Sequence, residues 1–396
     1  MSLVSPERAA SILSWLGSHA VDLSRITTFA TRSAGAGIAA TVTASAGDVL
    51  VSIPSTVWKP FSALDARESL SKSTIERVDA HAASLGGGSA LADGSLLAAR
   101  LLEHRESSPY LTALPMPDVP LLWPAQLRFA LLRGTSAGPA AESQAALSEG
   151  ICSVILDTAA GEQPPSDQLA SFRWAQAILL SRAHSGEGKP LALVPGLDLL
   201  NHAGLEANAA VRFSPSDGAF ELVATRRIES ANEEVCIDYG SSASHRLLRL
   251  YGFLPEGGDE IIPGEEVLVP LLPSSAELQG APEEVLEGIT AARDALARCG
   301  ISSGTMKLVA NDKGIVEMPS FVSESNGSAE AATARRVLRG AVEVQQQRQK
   351  EGAAACEAVG LLKGEAAATQ RAKLCSRLNA NEARVLEQAA AVLNEF

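Results

Sequence analysis

The sequence predicts an α+β fold in which small β-rich pieces flank a helical block and a helical tail follows. Three observations carry this. β-branched and alternating runs gather in about 26–58 and again in 190–255. Between them, 61–184 repeats its apolar positions at helical spacing, and beyond Pro282 helix start and stop signals recur.

In chain order, Glu7 to Leu23 places Ala10, Leu13, Trp15, Leu16 and Ala20 at near-helical spacing and leads into a strand around Ile26 to Phe29. Ser33-Ala-Gly-Ala-Gly-Ile-Ala-Ala-Thr-Val then sets two glycines between β-branched stretches. After Gly47-Asp48 the run Val49-Leu-Val-Ser-Ile53 is stopped by Pro54, so the segment reads as strand, turn, strand. In the helical block, Leu96, Leu97, Arg100, Leu101 and His104 share one face, and Phe172 to Arg182 makes another. Loops are expected at Ser107–Pro124, Gly134–Ala140 and Gly161–Ser166.

Strand character returns after Pro190. Ala210 to Phe213, the turn Ser-Pro-Ser-Asp-Gly218 and Phe220 to Thr225 form a hairpin pattern, and Glu234 to Asp238 is a further short strand. Pro255 to Pro273 reads as a linker or loop. A helix opens at Pro282, carries Val285, Ile289, Ala292, Leu296 and Cys299 as its apolar stripe, and ends at Gly300. Phe321 to Ala331 reads as a loop. Asn379 with Glu382 resembles a capping box for a last helix that buries Val385, Ala389 and Leu393.

Composition narrows the function classes. The 33 basic and 46 acidic residues give a formal net charge of -13, which argues against general binding of nucleic-acid phosphates and favours basic protein partners. Cys152, Cys236, Cys299, Cys356 and Cys375 are far apart, without a CxxC pair, so neither a zinc cluster nor a disulfide framework is predicted. The first thirty residues lack the pattern of a signal peptide, and no run approaches the roughly 18 apolar residues of a membrane span. The expectation is a soluble, intracellular chain in cytoplasm or nucleus, with the chloroplast left open.

Three familiar site types fit poorly. Gly35-Ala-Gly37-Ile-Ala-Ala40 matches GxGxxA, but β-branched residues follow where a dinucleotide fingerprint needs a helix, so a tight β-turn is the simpler reading. No GxSxG elbow is present for a serine hydrolase. Asp198 and His202 stand four apart, yet further ligands of matching spacing are missing for a metal. What stands out is scarcity: of three tyrosines and six histidines, Tyr239, Tyr251, His202 and His245 all fall within 194–253.

Four pieces in order resolve this pattern. Gly35-Ala-Gly-Ile-Ala-Ala with Gly47-Asp-Val-Leu-Val-Ser-Ile-Pro54, Asp198-Leu-Leu-Asn-His202, Glu234-Val-Cys-Ile-Asp-Tyr-Gly240 and Leu250-Tyr-Gly-Phe253 together resemble the SET-domain methyltransferases. Trp15-Leu-Gly, Tyr110-Leu-Thr-Ala-Leu-Pro115, Leu122-Trp-Pro124, Phe172-Arg-Trp-Ala175 and Ser181-Arg-Ala183 bring it nearer the branch typified by the Rubisco large-subunit lysine methyltransferase. The likeness runs from about 7 to 255 and more loosely through the tail. It implies a SET core of small sheets split by a helical insert and followed by an all-α substrate-binding domain. The organisation is then 1–60 for the leading helix and first core segment, 61–185 for the insert, 186–256 for the second core segment and 257–396 for the helical domain.

The resemblance also implies roles. S-adenosylmethionine would lie between the glycine turn and the Asn-His segment, held by the backbone of Ala34, Gly35, Ala36 and Gly37, by Arg182 at its carboxylate end, and by Asn201, His202, Tyr239 and Phe253. Tyr239 would be the catalytic hydroxyl beside the methyl path, and His184, Asp198 and Tyr251 would face the substrate. Each has a plainer alternative: Tyr239 and Tyr251 as packing, Asp198 as a backbone cap, Arg182 and His184 as exposed residues at a helix end. Ala34 stands where the best-known member has an acidic residue, and His184 stands in place of an aromatic. The implied function is lysine N-methylation of a folded, non-histone protein by a monomer, with no nucleic-acid or membrane partner and no metal. Histidine methylation and a catalytically weak protein-binding module are the alternatives.

Overall fold

The computed structural model describes residues 4–31, 35–159, 161–186, 188–240, 243–255, 261–273, 277–311, 313–323, 328–360 and 366–395. The chain divides into two compact units, one made of 1–122, 143–241 and 250–252, the other of 123–142, 242–249 and 253–396.

The first unit carries strands β1 (Ile26–Thr31), β2 (Gly35–Ala40), β3 (Val49–Ile53), β4 (Ala183–Gly186), β5 (Lys189–Leu193), β6 (Asn201–His202), β7 (Ala209–Ser214), β8 (Ala219–Ala224) and β9 (Glu234–Ile237). They form three small sheets, ordered β1-β2-β9-β6, β3-β8-β7 and β4-β5. In the first, β2 runs antiparallel to β1 and to β9, whereas β6 lies parallel to β9 with Asn201 opposite Cys236 and His202 opposite Ile237. Through β9, residues at least 35 apart in the chain are thereby laid side by side.

The leading helix, Pro6–Ser18, starts where expected because Ser5 caps it and Pro6 occupies its first turn. Its inward stripe is Ala9, Ile12, Leu13 and Leu16. The helical block between β3 and β4 includes Lys72–Ser84, Gly88–His104 and Ser166–Arg182, which bury Val78, Leu96, Leu97, Leu101, Phe172 and Ile178. One continuous core joins this block to the sheets through Ile38, Leu50, Ile53, Phe220 and Leu222. Burying such side chains stabilises the unit by roughly 1.5–3 kcal/mol each.

The glycine run differs from expectation. Gly35 to Ala40 is not a turn but strand β2, paired with β1 from Thr31–Gly35 to Ile26–Ala40. The connection falls at 32–34, outside the described residues, and Ala34 with it. Gly37 is needed for another reason. A Cβ there would come within 2.7 Å of Asn201 Nδ2 and 2.9 Å of Glu234 Oε1, where side chains of β6 and β9 cross the strand. Gly37→Ala is therefore expected to lower stability by about 1–3 kcal/mol, measured by chemical denaturation, because it overpacks the Asn201–Glu234 contact.

The second unit is all helical from Ala329 on, as expected, in two long helices, Ala329–Gly360 and Ala366–Asn394, that pack along one another. Ahead of them stands the helix Glu283–Arg298 and a three-stranded antiparallel sheet of β10 (Glu266–Pro270), β11 (Thr305–Ala310) and β12 (Val316–Glu317). The sheet lies where a loop and helices were expected. Val267 and Val269 alternate inward and are fully buried against Leu308, Leu338 and Leu386, a signal that the flanking prolines and glycine obscured. The capping box is also corrected. Asn379 and Glu382 sit inside the last helix, where Glu382 accepts from the Ser136 N–H at 3.0 Å and from Gln349 Nε2 at 3.2 Å. Of the expected stripe on Glu283–Arg298, Leu296 is buried while Val285 is exposed.

Candidate active site

The site is built where β9 ends. Its last residues lead to Asp238 and Tyr239, and the parallel pairing with β6 sets Tyr239 beside His202 with ring centroids 5.1 Å apart. The Tyr239 N–H donates to His202 Nδ1 at 3.1 Å, and the Tyr239 hydroxyl donates to the Leu200 carbonyl at 2.6 Å. Tyr239 is thus clamped at both ends to the segment before and within β6. Burial raises its hydroxyl pKa, so the group stays protonated and can orient a partner without acting as a base. His202 accepts at Nδ1, and burial lowers its pKa, so the neutral ring carries its proton on Nε2. Tyr251 packs against Tyr239 with centroids 4.5 Å apart and ring planes tilted by 34°.

Arg182 ends the helix Ser166–Arg182 and donates through Nη1 to the Asp198 carbonyl at 2.7 Å, while its Nε is buried with no partner among the described residues. Asp198 follows a sharp turn at Gly196, whose φ is +87 and where a Cβ would strike Leu16 Cδ1 at 2.6 Å. The Asp198 carboxylate accepts from the Gly196 N–H and from the Tyr110 hydroxyl, each at 3.0 Å. Tyr110 is fully buried and rests against Trp15 and Phe61, with centroids 5.9 and 4.9 Å away. Burial raises the Asp198 pKa against the opposing pull of Arg182. Asp198 therefore borders the site as a braced carboxylate with both oxygens engaged. Tyr110→Phe is expected to cost about 1–3 kcal/mol of stability in denaturant titrations, since it leaves that buried oxygen unpaired.

Arg182, His184, Asp198, Tyr239 and Tyr251 line one cavity of about 490 Å³, inside the roughly 300–1,000 Å³ usual for small-molecule sites. Five residues singled out in the sequence thus meet. Gly35, Ala36, Gly37, Asn201 and His202 are not among its walls. The Ala36 N–H is taken by the Val4 carbonyl at 2.9 Å, and Asn201 Nδ2 donates to Glu234 Oε1 at 2.8 Å. Both groups expected to meet the cofactor directly are already engaged within the protein. Phe253 belongs to the second unit.

The cavity also has walls that sequence reasoning passed over. Lys189 lies on it with Nζ donating to the Val211 carbonyl at 2.7 Å, and Ser181 and Leu200 contribute as well. The bracing of Asp198 by Tyr110 had a visible signal, because Tyr110 stands in one of the quoted motifs. Lys189 had none.

A family model for the SET domain matches residues 35–240, just over half of the 396 residues. The chain is a SET-domain protein. Its cavity, Tyr239 and the Asn201–His202 strand all lie in or beside the matched span. Among solved structures, the fold of this SET protein is similar to the SET domain of LSMT bound to lysine and AdoHcy, with 18% identity over 98% of this chain and 91% of that one at a TM-score of 0.63. It is likewise similar to Rubisco LSMT bound to AdoMet, with 18% identity over 98% and 92% at a TM-score of 0.64. At this identity the likeness is one of fold. No curated protein sequence matches the chain. Among the described residues, no helix is long and apolar enough to cross a membrane.

Proposed function

We propose that the protein is an S-adenosylmethionine-dependent lysine N-methyltransferase acting on a folded, non-histone protein. The observation that carries this reading is the cavity within the SET span, where Tyr239 is locked to Leu200 and His202 beside Tyr251, Arg182 and Asp198. The fold neighbours include one bound to lysine and AdoHcy, which supports an amine substrate for this fold.

The residues fit the cofactor on one count: among the described residues the buried Arg182 Nε lacks an acceptor, which a carboxylate would supply. Arg182 would hold the carboxylate end of the cofactor, with the Gly35–Gly37 strand and His202 beside the rest. Bound there, it supplies a methyl group on a cationic sulfonium.

The chain's own part is positioning. A lysine amine at its reference pKa is neutral in only about one molecule in 2,500 at pH 7, a cost of about 4–5 kcal/mol that the site must offset. Desolvation in the cavity and the nearby cations of Arg182 and Lys189 lower the amine pKa. The Tyr239 oxygen, whose O–H donates to the Leu200 carbonyl, offers lone pairs to an amine N–H and aligns it for in-line attack. Asp198 braces the wall behind Arg182, and Tyr251 closes the side of the channel. The second unit, 123–142, 242–249 and 253–396, would hold the substrate protein, and the net charge of -13 suits a basic one.

The test is calorimetry with S-adenosylmethionine followed by transfer of labelled methyl to proteins of a cell lysate. Cofactor binding with label recovered as methyllysine is the expected result. Label in methylhistidine would turn the reading to histidine, and cofactor binding without transfer would leave a protein-binding module.

A further inference from the structure

Five cysteines lie scattered along the sequence, and helix packing brings two of them together. Cys356 stands near the end of the helix Ala329–Gly360 and Cys375 in the first half of Ala366–Asn394, the two long helices that pack along one another in the second unit. Both thiols are buried, in one apolar cluster with Leu131, Ala372 and Leu378. The Cys356 and Cys375 side chains are hydrogen-bonded to each other. Asn379 spans the pair from the next turn: its Nδ2 donates to Cys356 Sγ at 3.9 Å and to the Cys375 carbonyl at 3.1 Å. The hydrogen bond from Cys375, with that from Asn379, lowers the Cys356 pKa from the ordinary thiol value although burial opposes it. Cys356 is thereby disposed to form the thiolate that starts an exchange, with a second thiol in contact to resolve it.

We propose that Cys356 and Cys375 are a dithiol that closes to a disulfide and fastens the two long helices to each other. The reaction partner is a small disulfide such as oxidised glutathione. The Cys356 thiolate attacks one sulfur of the oxidant, whose S–S bond breaks and releases the first glutathione thiol. Cys375, giving up its proton, then attacks Cys356 Sγ in the mixed disulfide and displaces the second. One S–S bond is made and one is broken, two electrons pass to the oxidant, and the two protons leave on the two reduced thiols. Because both sulfurs are buried, the exchange needs a local parting of the helices, so it is slow in the native state and faster in mild denaturant. The closed form is the more stable, since the cross-link restricts the unfolded chain. Neither cysteine lines the cavity, so the bond and the methyl-transfer reading stand or fall separately.

The test incubates the full chain with oxidised glutathione, with and without mild urea, and then alkylates the remaining thiols in strong denaturant for peptide mapping. The expected product has lost two hydrogens and joins the Cys356 and Cys375 peptides and no others. Its thermal midpoint is expected to rise by roughly 5–10 °C over the reduced chain. Dithiothreitol returns it to the starting value, and in Cys375→Ala the same treatment gives no such rise. Alkylation of all five cysteines in both arms, or a bond to Cys152, Cys236 or Cys299, overturns the proposal. A joined pair with an unchanged or lowered midpoint overturns it as well, because the sulfurs would then be bridged under strain.

Discussion

Tyr239→Phe is expected to lower kcat by about 10²-fold, the scale on which misplacing a reacting group acts, while the affinity for S-adenosylmethionine changes by less than about twofold. The ring contacts to His202 and Tyr251 survive the substitution, because only the hydroxyl is removed. What disappears is the 2.6 Å bond to the Leu200 carbonyl and, with it, the oriented lone pairs that meet the amine. Single-turnover transfer and calorimetry on the same preparation separate the two effects. A parallel loss of turnover and cofactor affinity would make Tyr239 a structural residue of the β6–β9 junction.

The second large effect concerns stability. Glu382 is wholly buried on the last helix, held by the Ser136 N–H and Gln349, and its pKa is raised to about 8 by desolvation and by Glu265. The native state therefore keeps this proton up to about pH 8, whereas the unfolded chain loses it near the ordinary carboxyl value of 4.5. Its contribution is fully present below about pH 4.5 and is lost as pH rises through 8. The loss amounts to at most about 4–5 kcal/mol. Glu382→Gln imitates the protonated form without titrating. Its stability relative to wild type is expected to rise by several kcal/mol between pH 5 and pH 8, as read from urea midpoints at each pH. A constant difference across that range would show that Glu382 is ionised throughout.

Much of the fold was legible because local rules and tertiary structure agreed. The helix start at Pro6, the hairpin of β7 and β8 and the insert helices lie where their patterns placed them, although in the first helix Ala10 is exposed and Ala9 and Ile12 are buried beside Leu13 and Leu16. Where the two disagreed, burial explains why. Glu382 and Asn379 look like capping residues because such side chains usually satisfy exposed helix ends, but here they satisfy groups inside the second unit. β10 carries its inward valines between prolines and a glycine that locally signal a loop.

The site divides in the same way. The sequence by itself determined the family and the chemical inventory: the Asn201–His202 and Tyr239 segments, Arg182, and the histidine at 184. Residue types and their order suffice for that, because a reaction needs particular groups wherever the chain places them. Only the tertiary structure decided what each group is free to do. It took both Asp198 oxygens for Tyr110 and Gly196, tied Asn201 to Glu234, brought Lys189 onto the wall, and left His184 Nε2 without a partner among the described residues. Hydrogen bonds saturate, and their partners here lie up to 88 residues apart in the chain.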